Sequence, residues 1–91
     1  MALCREPVAH MPARADMRPG VLYVSERFGT AIHLCACGCG EETVTPIAPA
    51  FAAGWSYEDA PDGPTLRPSI GNWHFPCRSH YFVTEGRVEW L

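Results

Sequence analysis

Short apolar runs, each broken by glycine or proline after a handful of residues, set the rhythm of this chain. Val21-Leu22-Tyr23-Val24 is β-branched and aromatic, and Arg18-Pro19-Gly20 before it is a turn signal. Glu26 to Gly29 reads as a turn into a second strand, Thr30-Ala31-Ile32-His33-Leu34, with Ile32 and Leu34 on one face. Thr43-Val44-Thr45-Pro46-Ile47 predicts a third strand at a sheet edge, because Pro46 has no N–H for a ladder. The stretch Pro49 to Ala53 is ambiguous, and Trp55-Ser56-Tyr57 predicts a fourth strand. Asp59 to Pro64 has the composition of an exposed turn. Thr65-Leu66 lead into Arg67-Pro68-Ser69-Ile70, and residues 71–79 read as a loop carrying Asn72, Trp73 and Cys77. His80 to Thr84, the Glu85-Gly86 turn and Arg87 to Trp90 form a hairpin, with Tyr81 and Val83 on one face and Phe82 and Thr84 on the other. Nine prolines and eight glycines suggest many turns and little long helix. The expected fold class is mainly β: a small antiparallel sandwich or open barrel with metal-bearing loops, of zinc-ribbon or Rieske-like type.

The first sixteen residues lack periodicity and carry Pro7, Pro12 and mixed charge, so they read as a flexible leader. The single domain then spans residues 17–91. A chain of 91 residues buries only roughly 60–65% of its unfolded surface, so a metal or disulfide staple would help it fold. Its seven basic residues are all arginine, scattered, against ten acidic ones. That balance argues against nucleic acid or a membrane surface as partner. No apolar run approaches a membrane span or a secretory signal, so a cytoplasmic location is expected. A disulfide framework loses its usual compartment there, and five cysteines point to metal or catalysis instead.

Three of the five alternate in Cys35-Ala36-Cys37-Gly38-Cys39, and a fourth opens Cys77-Arg78-Ser79-His80. Alternate side chains of an extended segment share a face, so neighbouring thiols can reach one ion, and Gly38 lets the backbone curl. Cys77 and His80 have a two-residue gap common in zinc loops. Closing the loop of residues 40–76 through a metal removes unfolded-state freedom. Zinc with thiolate and imidazole ligands fits. The five candidates Cys35, Cys37, Cys39, Cys77 and His80 compete for four places, and Cys77 and His80 with two of the clustered cysteines make the expected set. Cys4 and His10 are expected to stay outside it. The paired loops also suggest a Rieske centre, but Cys37 stands where that arrangement needs histidine, which favours zinc over an iron–sulfur cluster.

Cys35-Ala-Cys37-Gly-Cys39-Gly40, Leu66-Arg-Pro68-Ser69-Ile70-Gly71-Asn72-Trp73, Pro76-Cys77-Arg-Ser79-His80-Tyr81 and Gly86-Arg-Val-Glu-Trp90 together resemble a family of small bacterial cysteine-rich proteins. The resemblance covers about residues 17–91. It implies zinc binding and a gene neighbourhood of ubiquitin-like proteins with their activating and conjugating enzymes. A ubiquitin-like protein or its conjugating machinery is then the implied partner, and a peptidase that trims or removes the ubiquitin-like protein is the implied role.

A peptidase needs a nucleophile, a base within hydrogen-bond reach and an oxyanion donor. Ser69, held between Pro68 and Gly71, is the best hydroxyl, and Ser79 is second. His33 and His74 are the imidazoles left free for a base, and Asn72 is a candidate oxyanion donor. A cysteine outside the metal shell, Cys35 or Cys39, is a rival nucleophile. Each residue also has a common structural role: turn hydroxyl for Ser69, packed side chain for His33, turn former for Asn72. Glu41 and Glu42 could activate a metal-bound water, but four or more protein ligands favour a structural ion. Two readings therefore stand beside each other: a peptidase with Ser69 as nucleophile, and a non-catalytic zinc adaptor of the same pathway. A redox or iron–sulfur carrier is the third.

Overall fold

The computed structural model describes residues 2–48 and 54–91, and residues 49–53, ambiguous in sequence, lie outside the described residues. Eight strands fall into two sheets of four. The first holds β1 (Cys4–Pro7), β2 (Val21–Ser25), β3 (Thr30–Leu34) and β4 (Glu42–Pro46), in that order. The second holds β5 (Ser56–Ala60), β6 (Gly63–Gly71), β7 (His80–Thr84) and β8 (Arg87–Trp90), again in chain order. Every neighbouring pair is antiparallel except β1 with β2, which run parallel with Cys4 opposite Val21. The expected mainly β sandwich is found, open rather than closed into a barrel. Pro46 ends the edge strand β4, as its missing donor requires.

The main core lies between the sheets. Leu22, Val24 and Ala31 of the first meet Leu66, Ile70, Tyr81 and Val83 of the second. The period-2 pattern sets this up, since Tyr81 and Val83 are wholly buried while Phe82 and Thr84, which alternate with them, face the other way. The opposite face of the first sheet is also covered. Tyr23 and Ile32 pack there with Met17, and Val8 and Met11 close over them. Here the structure departs from the flexible leader expected at 1–16. Leu3 is buried in the main core, β1 adds a strand to the first sheet, and a 3-10 turn follows at Arg14–Asp16. The physical reason is apolar: with both faces of β2 and β3 hydrophobic, something must cover the outer one. Backbone bonds between the two sheets, such as Leu3 N–H to the Gly86 carbonyl at 2.6 Å, close the corner beside the β7–β8 turn. Among the described residues no helix is long and apolar enough to cross a membrane.

Candidate functional site

Two clusters of reactive side chains sit at one end of the sandwich, on either side of the segment that joins β6 to β7. The first is sulfur. The β3–β4 connection carries Cys35, Cys37 and Cys39, and it curls through Gly38 and Gly40, both at positive φ (89° and 82°) where a side chain would be strained. Arg14 braces the exit of this loop, donating to the Gly40 carbonyl at 2.8 Å and pairing with Glu41 at 3.0 Å. Cys77, from the β6–β7 loop of the other sheet, completes a group of four sulfurs all within 4.8 Å of one another. Cys35 lies 3.4 Å from Cys37 and 3.8 Å from Cys77, and Cys39 lies 3.8 Å from Cys77. A tetrahedral thiolate site with bonds of about 2.3 Å has edges of about 3.8 Å, so the donors present fit one metal ion. Cys4 and His10 are not part of this group.

Asn72 and Ser79, expected as oxyanion donor and reserve nucleophile, are buried against the sulfurs instead. Thr43 Oγ1 donates to Asn72 Oδ1 at 3.2 Å, which fixes the amide's orientation. Asn72 Nδ2 then donates to Ser79 Oγ at 2.9 Å and to Cys35 Sγ at 3.6 Å. With its oxygen accepting from Asn72, Ser79 has its one hydrogen left for sulfur: Cys35 lies at 3.0 Å and Cys77 at 3.6 Å. Hydrogen bonds from the Ser79 side chain and backbone hold the Cys77 thiol down at about 6, close to the thiolate a metal requires. Burial, with hydrogen bonds to Cys35, Cys39 and Cys77, pushes the Cys37 thiol up to about 12.

The second cluster lies on the outer face of the β5–β8 sheet. Ser69 Oγ is 2.8 Å from His80 Nε2. The sheet register explains the meeting. Leu66 pairs with Val83 and Ile70 with Tyr81, so β6 spends two more residues than β7 between these points and bulges. Arg67 fills the bulge. Its guanidinium donates to the Leu66 and Val83 carbonyls at 2.8 and 3.0 Å and to Thr84 Oγ1 at 2.7 Å, and lies over the Phe82 ring at 4.7 Å. Beyond the bulge Gly71 pairs with His80, so Ser69 is the diagonal neighbour of His80 on one face, within an imidazole's reach. Trp73, 56% exposed, lays its indole over Gly71 and sets it against the imidazole, ring centres 4.8 Å apart. A Cβ at position 71 would sit 2.5 Å from the indole Nε1, so only glycine fits beneath it.

Sequence reasoning placed His80 among the metal ligands. In the structure its ring turns to Ser69, and the fourth sulfur fills the place assigned to it. The two residues between Cys77 and His80 cross from one side of the sheet to the other. His33, one of the two histidines proposed as base, is wholly buried with Nε2 2.7 Å from the Tyr81 hydroxyl. Burial holds its imidazole down at about 4, a neutral packed ring. His74, the other, is exposed on the β6–β7 loop. Neither is hydrogen-bonded to Ser69. Among the described residues the His80 ring has a single hydrogen bond, to Ser69, and Ser69 is the one serine bonded to an imidazole.

Residues 8–91 match the family described as "Bacterial ubiquitination-like system serine protease (BubE)". The chain belongs to this family. No curated protein and no solved structure matches it. The match spans both the Ser69–His80 pair and the four cysteines. It also takes in Val8 and Met11, which cover the first sheet.

Proposed function

We propose that this chain is a serine peptidase that processes or removes a ubiquitin-like protein in a bacterial conjugation pathway, acting in the cytoplasm. The observation that carries the reading is the 2.8 Å contact between Ser69 Oγ and His80 Nε2, half-buried on the outer face of the second sheet. His80 takes the hydroxyl proton as Oγ attacks the scissile carbonyl. The C–N bond then breaks, and the same imidazole returns the proton to the leaving amine. Water, deprotonated by His80, releases the acyl group and restores Ser69. The Trp73 indole and the rigid β7 backbone orient the imidazole, the office a carboxylate fills in a triad.

The four cysteines hold zinc in this reading. Sulfurs as close as 3.4–3.8 Å surround a single ion rather than a cluster. Zinc there supplies a cross-link between the two sheets. Cys77 is anchored three residues before His80, so the cysteine site fixes the loop that sets the imidazole beside Ser69.

The test is incubation with a ubiquitin-like precursor and with an isopeptide conjugate, read by mass spectrometry, together with a fluorophosphonate probe. Wild type releases the ubiquitin-like protein after its C-terminal glycine and takes the probe on Ser69. Ser69→Ala and His80→Ala lose at least about a thousandfold in rate and keep their metal. Equal cleavage by wild type and Ser69→Ala removes the assignment. Stable association with a conjugation component, with no hydrolysis by wild type, selects the adaptor reading instead.

A further inference from the structure

Strand β6 outruns its outer neighbour. β5 pairs with it from Ala60 opposite Gly63 to Ser56 opposite Arg67, and β6 continues to Gly71. At Trp55 the chain leaves for the other sheet: Trp55 N–H donates to the Pro46 carbonyl at 2.8 Å, and Ala48 N–H to the Trp55 carbonyl at 2.9 Å. Among the described residues no strand therefore pairs with the flank of β6 at positions 68–71, opposite the side taken by β7. Strand β4 is likewise the edge of its sheet. Between these two flanks, unpaired among the described residues, lies a cavity of about 260 Å³, lined by Val44 and Thr45 of β4, Ile70 and Gly71 of β6, and Trp55 and Phe75.

We propose that this cleft seats the acyl-side tail of the substrate as an added β-strand along β6. The inference rests on Ser69 being the nucleophile and extends that reading to how substrate is held. Unpaired backbone groups on a strand flank are a template for another chain. A strand added there lies about 4.8 Å from β6, on the side of Ser69 away from His80. Oγ then meets the substrate carbonyl from one side while its proton leaves to the imidazole on the other. The apolar lining takes alternate side chains of the tail. The cavity has room for a leucine-sized side chain and not for a folded surface. The occupant is therefore an extended, unfolded chain end with an apolar residue upstream of the scissile bond.

Peptide aldehydes test this, because an aldehyde carbon bonds to Oγ while the hydroxyl proton passes through His80 to the new hemiacetal oxygen. Acetyl-glycinal is compared with acetyl-Leu-Ala-Leu-glycinal. The longer compound is expected to inhibit at least tenfold better. N-methylation of its tail amides erases that gain, and so does Val44→Arg in the cleft lining. Fluorescence anisotropy of a labelled Leu-Ala-Leu-Gly amide on Ser69→Ala, with and without Val44→Arg, reads the cleft without chemistry. Equal potency at both lengths, or a gain that survives both changes, overturns the cleft and leaves the peptidase reading standing. Failure of both aldehydes together with failure of the fluorophosphonate label removes both.

Discussion

Removing one oxygen, in Tyr81→Phe, should cost this protein a large part of its stability. The Tyr81 hydroxyl sits between the sheets, 2.7 Å from His33 Nε2 and 3.4 Å from the Ala36 N–H, which donates to it. His33 is 0% exposed and Ala36 7%, so neither finds water when the hydroxyl goes. Each buried polar group left without a partner costs about 1–3 kcal/mol. The apolar gain from phenylalanine offsets part of that, which leaves a net loss of about 2–4 kcal/mol. Against a total of about 5–15 kcal/mol for a domain, the melting temperature should fall by roughly 10–25 °C. Urea unfolding followed by tryptophan fluorescence measures it. Replacing both polar partners, in Tyr81→Phe with His33→Leu, should cost less than the two single changes added, because no orphan imidazole remains. The pH dependence has a defined sign. Burial depresses the His33 imidazole from 6.5 to about 4, so the unfolded chain takes up the proton first. The stabilisation is complete above about pH 6.5 and is lost as pH falls toward 4, by about 3 kcal/mol, and His33→Leu should flatten that slope. A Tyr81→Phe protein within about 0.5 kcal/mol of wild type, or a double variant as poor as the sum, would refute this account of the core.

Metal removal should act through the loop that Cys77 closes. Stripping the ion with a chelator, or Cys77→Ser, is expected to lower stability by about 4 kcal/mol, the chain-entropy value for a loop of this length. Amides of residues 72–79 should then exchange with deuterium well before those of β2 and β3. Uniform exchange across the molecule would show that the metal does not anchor this loop. Gly71→Ala places a methyl 2.5 Å from the Trp73 indole nitrogen and must push the ring off His80. The indole N–H resonance should shift, and kcat/KM should fall about tenfold; an unmoved resonance would contradict the packing described.

Much of the fold was legible because its signals are local. The strands at Val21–Val24 and Thr30–Leu34 and the hairpin closed by Glu85-Gly86 follow from β-branched runs and turn chemistry, and all are found within a residue or so. The sulfur cluster was legible for the same reason, three thiols in five residues. What could not be read locally is partnership. Strand β1 is Cys-Arg-Glu-Pro, with no strand propensity, and exists because β2 offers it a flank and the main core takes Leu3. β6 runs through Pro68 to Gly71, where proline and glycine argue against a strand, because β7 supports it on one side. His80 shows the limit most clearly. A Cys-x-x-His spacing says ligand, but the face a side chain takes is set by the β6–β7 register and its bulge, which join residues from two strands. A useful signal was present in the period-2 pattern: Tyr81 and Val83 inward puts His80 outward, on the face that also carries Ser69.

Each sheet is built from one unbroken run of sequence, β1 to β4 and then β5 to β8. A cut between Pro46 and Ser56 would leave both sheets whole, with Ser69 and His80 together on the second fragment. Three of the four sulfurs would lie on the first fragment and one on the second. The protein is thus a natural candidate for fragment complementation, in which two separate halves reassemble through the four cysteines that the cut divides between them.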